Sequence, residues 1–301
     1  MLEIVKPGTR IDFVGWRRKG FILSGILVGI SLAASLVSGG PPMGVDFRGG
    51  TEIQVGFQNP VPIAKLRQNL DTAGIPGISV QKFGEEAAHE YLIRFPSIGD
   101  NDSQRIREIL AGEFEPESFE IQREELVGPR VGKELRRKGI LATVVALLGI
   151  LIYIGWRFEL RYGAGAIVAL IHDLLIAFGA LTIFRYELSL TSLAALLTLA
   201  GYSVNDTIVV FDRIRENLRR MSRSRFEDVI NASINENLSR TLVTSGTTFL
   251  VVLALFLYGG PVLRDFSFVL MIGILIGTYS SVFVASPLLL IWRKKFGKKK
   301  K

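Results

Sequence analysis

The stretch Leu188–Phe211 reads LSLTSLAALLTLAGYSVNDTIVVF and carries one formal charge, Asp206. A mostly apolar run of about 20 residues is long enough to cross a bilayer core. Five further stretches have the same property: Phe21–Val37, Gly139–Trp156, Gly163–Phe184, Leu242–Tyr258 and Phe266–Trp292. The arrangement predicts a membrane protein with six transmembrane helices. The first run follows Arg17, Arg18 and Lys19, a pattern shared with signal peptides. It exceeds the usual signal core of about 7–15 residues, so it reads as an uncleaved anchor.

The 301 residues are 49% hydrophobic and 21% charged, figures close to those of a soluble protein. Their distribution is not, because the charges are confined between the apolar runs. The absence of Cys removes disulfides, thiol catalysis, Fe–S clusters and Cys-based zinc sites. Two histidines, His89 and His172, are too few for most catalytic metal centres. No cofactor or enzymatic activity is expected. His89 reads as a solvated surface residue.

The net charge of +8 reports topology. Lys6, Arg10, Arg17, Arg18 and Lys19 precede the first span, and Arg157 and Arg161 lie between the second and third. Seven Arg fall in Asp212–Thr241 and seven Lys or Arg in Arg293–Lys301, whereas the opposite short turns hold only Arg185 and Arg264. Positive charge stays inside, so both termini are expected in the cytoplasm. Trp16, Trp156 and Trp292 fall at that same interface. The basic residues crowding the second span (Arg130 to Lys138) break the rule locally. A connection this long translocates regardless of its charge. The Lys298–Lys301 tail suits anionic lipid, and no nucleic acid is expected.

These boundaries divide the chain into a cytoplasmic segment (1–20), a first span (21–37), an exterior domain with its connector (38–138), five spans (139–292) and a basic tail (293–301). Within the exterior part Thr51–Phe57 alternates, and Ile63, Leu66, Leu70 and Ala73 keep helical spacing before a break at Gly74–Gly77. Alternation returns in Ile78–Phe83 and Tyr91–Phe95. Ile106, Ile109, Leu110 and Phe114 then form a helical face, and Phe119 and Ile121 begin a last strand. The order strand-helix-strand-strand-helix-strand is the ferredoxin-like split βαβ motif. The fold class is therefore membrane α-helical, with an exterior α+β ferredoxin-like domain between helices 1 and 2. On the other side, Ser224–Glu227 has capping-box spacing. Phe226, Ile230, Ile234 and Leu238 suggest a helix lying on the membrane surface before the fifth span.

An ionisable group inside a span is a functional candidate. Asp206 comes late in an inward-running helix and Arg240 early in an outward-running one, which places both near one depth. Three readings fit: a protonatable carboxylate whose ionised form a guanidinium favours, a structural ion pair holding two helices, or an Arg240 that snorkels without a partner. Asn205 and Thr244 are candidate relay or helix-contact residues beside them. Asp173, with His172 beside it, lies mid-span and suits either a relay or a polar helix contact.

Several motifs now combine. GVDFRGGT (Gly44–Thr51) follows span 1, VGPRVGKEL (Val127–Leu135) precedes span 2, and ALIHD (Ala169–Asp173) lies in span 3. YSVNDTIVVFDRIREN (Tyr202–Asn217) closes span 4, and NLSRTLVTSGTT (Asn237–Thr248) opens span 5. Together they resemble the SecF family of bacterial Sec protein-export subunits, within the resistance-nodulation-division superfamily. The resemblance implies pairing with a SecD chain, and contact with the SecYEG channel and with YajC and YidC. It also implies action on unfolded secretory polypeptides in the bacterial cytoplasmic membrane. It assigns proton-motive coupling to Asp206 and Arg240. Two rivals stay open on the residues alone: a homodimeric small-molecule exporter and a passive scaffold of the channel.

Overall fold

The computed structural model describes residues 9–72, 78–83, 89–96 and 102–296. In chain order the elements are α1 (Arg17–Ser38), α2 (Val45–Arg48), β1 (Gly50–Phe57), α3 (Ile63–Thr72), β2 (Ser79–Phe83), β3 (Glu90–Phe95) and α4 (Asp102–Ala111). There follow β4 (Phe119–Val127), α5 (Pro129–Arg157), α6 (Leu160–Ile183), α7 (Leu190–Arg220), α8 (Phe226–Tyr258) and α9 (Gly260–Ser280). A π turn (Ser281–Ala285) joins α9 to α10 (Ser286–Phe296). The expected break at Gly74–Gly77 and the Lys298–Lys301 tail lie outside the described residues.

Two compact units divide the chain, Met43–Leu141 and the remainder. In the first, the sheet order is β2-β3-β1-β4 with every neighbouring pair antiparallel. Alternation sends Ile53, Val55, Phe57, Tyr91, Ile93 and Phe95 to one face, where they pack with Leu66, Leu70, Ile106 and Leu110 of the two helices. This is the ferredoxin-like arrangement. The other face is polar. Arg94 pairs with Glu52 at 2.5 Å, and the Gln54 amide donates to Glu90 and Gln122. The Gly44–Thr51 segment is the single-turn helix α2 followed by Gly49 and Gly50 at φ 72° and 132°. A Cβ at Gly49 would sit 2.9 Å from the Pro129 Cα, and one at Gly50 2.7 Å from the Phe95 carbonyl oxygen. Both sterics and positive φ therefore demand glycine. His89 is half-buried at φ 48°, not solvated as the sequence suggested.

Among the described residues six helices are long and apolar enough to span a membrane, α5 beginning in the first unit and the other five lying in the second. α6, α9 and the π turn sit centrally, while α1, α5 and α8 turn most of their surface outward. Close approach sets the α1–α6 contact, since a Cβ on Gly179 would meet the Ser31 Cβ at 2.2 Å. A capping box opens α7, formed by Ser189 and Ser192. No box forms at Ser224, because α8 starts at Phe226 with Arg225 as its N-cap, whose side chain pairs with Asp228 and caps no backbone N–H.

Nor is there a separate surface helix. The stretch from Phe226 runs unbroken into span 5, as one 33-residue helix. Val229, Ile230, Ser233 and Ile234 find protein instead of lipid headgroups, since α7 also overruns its span to Arg220 and packs beside them. Residues ahead of α1 complete this end. Asn235 exchanges two bonds with the Ile11 backbone, each 2.9 Å, and Asn231 accepts from the Val14 N–H and donates to Asp12.

Candidate functional site: two buried carboxylates beside a polar cleft

Helical periodicity divides α7. Ser192, Ala195, Leu199, Ser203 and Asp206 face the bundle, while Thr198, Gly201 and Asn205 are exposed. Asp206 keeps 8% of its surface, inside a segment that otherwise needs apolar groups. Its Oδ2 accepts from Ser281 Oγ at 2.5 Å and its Oδ1 from Thr241 Oγ1 at 3.0 Å. An open cleft beside it is lined by Tyr202, Asn205, Asp206, Val209, Arg240, Thr241 and Thr244.

The sequence places Asp206 and Arg240 at one depth, and the structure places both on this cleft without joining them. Among the described residues no ion pair connects them. The reason is angular. Successive helical residues point about 100° apart, so Thr241 reaching Asp206 turns Arg240 aside. The Arg240 side chain is exposed and makes no hydrogen bond or ion pair among the described residues. Asn205 and Thr244 do line the cleft. The Thr244 hydroxyl is spent on the helix carbonyls of Arg240 and Thr241, at 3.0 and 3.1 Å. The polar face at Thr247 and Thr248 is likewise satisfied along its own helix.

Asp173 is fully buried. Its Oδ2 accepts from Ser203 Oγ (2.5 Å) and Ser280 Oγ (2.7 Å), and its Oδ1 lies 2.8 Å from His172 Nδ1. The His172 ring stacks near Tyr279.

Sequence reasoning missed the hydroxyls that hold both acids: Ser203, Thr241, Ser280 and Ser281. Their signal was a serine pair inside an otherwise apolar span. That pair opens the π turn, and at its far end Ser286 Oγ donates to the Ser281 carbonyl at 2.7 Å.

Comparison with known proteins places this geometry. A family model described as "Protein export membrane protein SecD/SecF, C-terminal" matches residues 108–295, and "SecD/SecF GG Motif" matches residues 34–61. The protein translocase subunit SecF of Vibrio alginolyticus is 44% identical, covering 96% of this chain and 92% of that one. The subunit of the same name from Escherichia coli O157:H7 is 41% identical, covering 96% and 90%. A crystal structure of SecDF from Thermus thermophilus, titled a translocon-associated membrane protein, superposes with a TM-score of 0.87 at 35% identity. It is matched over 95% of this chain and 39% of that longer one. SecDF in a super-membrane-facing form gives a TM-score of 0.72 at the same identity, over 100% and 41% of the two chains. On these matches, and on six spans with a ferredoxin-like unit after the first, the chain belongs to the SecF family of multi-pass protein translocase subunits.

Proposed function

We propose that this chain is one half of a proton-driven machine assisting late translocation of unfolded polypeptides, with Asp206 as the group that takes up and releases the proton. The observation that carries the reading is the setting of Asp206. It is a buried carboxylate within a span, held by two neutral hydroxyls and open to a polar cleft. Such a group costs about 2.5–3.5 kcal/mol on insertion scales, so its presence points to use.

Charged Asp206 accepts from Ser281 and Thr241 and is drawn to the Arg240 guanidinium, which keeps its own charge at any working pH. A proton arriving from outside neutralises the acid and removes that attraction. Ser281 then donates to the Thr278 carbonyl, which lies 3.0 Å from its oxygen. The contacts of α7 with α8 and the π turn change together. Release of the proton to the cytoplasm restores them. Each proton moved through 100 mV supplies about 2.3 kcal/mol, enough to bias the diffusion of a chain that the exterior domain holds weakly.

A SecD chain completes the machine in this reading. Support comes from the exposed polar face of Asn205, Arg240 and Thr244, costly against lipid, and from the longer SecDF chain, of which this one covers 39%. Contacts with SecYEG, YajC, YidC and anionic lipid, and cytoplasmic termini, belong to the same proposal. The test is gradient-driven release of a secretory protein from vesicles bearing the assembled complex, with Asp206→Asn and Arg240→Met. Each variant should assemble and lose the gradient-dependent part. Parental rates in both would reject the proton role.

A further inference from the structure

Span 6 contains two adjacent serines that serve two different acids. Ser280 donates to Asp173 and Ser281 to Asp206, because consecutive helical positions diverge by about 100°. Each hydroxyl also lies within reach of a carbonyl of its own helix: Ser280 Oγ is 3.1 Å from the Gly277 oxygen and Ser281 Oγ 3.0 Å from the Thr278 oxygen. A hydroxyl has one proton to give. Each serine is thus a two-position donor, turned to its carboxylate when that is charged and to the helix when it is neutral.

Asp173 has a second feature that points to a titrating site. His172 is 7% exposed, its Nδ1 meets Asp173, and its Nε2 is buried with no partner among the described residues. Nδ1–H donating to the carboxylate leaves Nε2 as a bare lone pair. The imidazole thus orients the Asp173 carboxyl, the acid of the pair.

We infer that Asp173, oriented by His172, is a second proton-binding site in the membrane core, and that Ser280–Ser281 ties its occupancy to that of Asp206. Uptake forms one O–H bond on Asp173 Oδ2 and breaks one O–H bond of the hydronium ion that delivers the proton, leaving a water molecule. The new O–H donates to Ser203 Oγ, and the Ser280 hydroxyl turns to the Gly277 carbonyl. Like charges in a low-dielectric interior oppose each other, so ionisation of one acid favours protonation of the other.

The groups facing Asp173 are few. α6 itself supplies His172, α7 supplies Asp206, and α9 supplies Tyr279. α1 presents Ser31 and Ser35 to α6 and keeps its charges at Arg17, Arg18 and Lys19. The π turn carries no charged residue, and α10 none before Arg293. The transport meaning rests on the proton role of Asp206; the existence of the site does not.

The experiment is an infrared pH titration of the complete complex in vesicles, with Asp carbonyls isotope-labelled. A carboxylic-acid band should be present that vanishes in Asp173→Asn. In Asp206→Asn its deprotonation midpoint should fall, since the opposing charge is gone. Ser280→Ala keeps both acids, and should shift the band frequency even if Asp173→Asn fails to assemble. No titrating band assignable to Asp173, or one whose midpoint is unmoved in Asp206→Asn and whose frequency is unmoved in Ser280→Ala, would overturn the inference. An Asp206→Asn complex that still responds to the gradient would reject the function proposed above and leave this band in place.

Discussion

Ser280 and Ser281 are neighbours in the chain, yet their hydroxyls go to carboxylates on different helices, Asp173 of α6 and Asp206 of α7. The π turn beginning at Ser281 is where these contacts meet, so a change in either acid is felt at one point of span 6.

The α1–α6 contact depends on the missing side chain of Gly179. A Cβ there would lie 2.6 Å from the Ser31 Cα, which is backbone and cannot rotate away. Gly179→Ala should destabilise the bundle by about 1–3 kcal/mol, read as an earlier unfolding midpoint in detergent. Gly149→Ala, also within a helix but with nothing within 4 Å, is the clash-free control and should leave the midpoint unchanged or raise it.

At Gly50 the strain is of backbone origin. Gly50→Ala must hold φ near 132° with its Cβ 2.7 Å from the Phe95 oxygen. A cost of about 1–3 kcal/mol is expected, seen as faster amide exchange along β1 and β3. Unchanged exchange would mean that the β1–β3 register is not fixed there.

Ahead of α1, the Gly15 N–H and then the Asn231 amide hold the Asp12 carboxyl below its ordinary value. A depressed folded value contributes stability above the unfolded value, near 3.9, and that contribution is lost as pH falls through the folded value. The Gly15 amide resonance should therefore stay constant from neutral pH and titrate only below about pH 3.9. Asp12→Asn should abolish the titration. A midpoint at or above the ordinary carboxylate value would contradict the geometry.

The chain has no native Cys, so a single engineered one reports its own neighbours. Asn205→Cys lies on the exposed cleft. With a cysteine-scanned partner it should cross-link to a second, non-identical six-span chain. Cross-linking solely to another copy of this chain would favour the homodimeric exporter.

How far these features could be read from sequence depended on their periodicity. Six spans and the order of the ferredoxin-like unit follow from apolar runs and alternation, and Leu188–Phe211 alone carried both the span and its acid. Helix ends were less legible. The Ser224 spacing promised a cap, and the apolar stripe from Phe226 promised a surface helix. Long-range packing against the extended α7 instead made one continuous α8. The acids were visible because a charge in an apolar run is conspicuous, whereas the serines holding them are nearly silent in hydropathy. Arg240 does line the cleft beside Asp206, but its azimuth needed the coordinates, and azimuth gave the contact with Asp206 to Thr241.

Proton entry during polypeptide movement is the direct readout of the role given to Asp206. A pH-sensitive dye would be trapped in vesicles bearing the complete complex and followed during translocation of a secretory polypeptide. With the parental chain, luminal pH should change in step with polypeptide movement. With Asp206→Asn the coupled change should vanish while the complex remains assembled, and Asp206→Glu should restore part of it. Proton movement of parental size through the assembled Asp206→Asn complex would mean that Asp206 does not carry the proton.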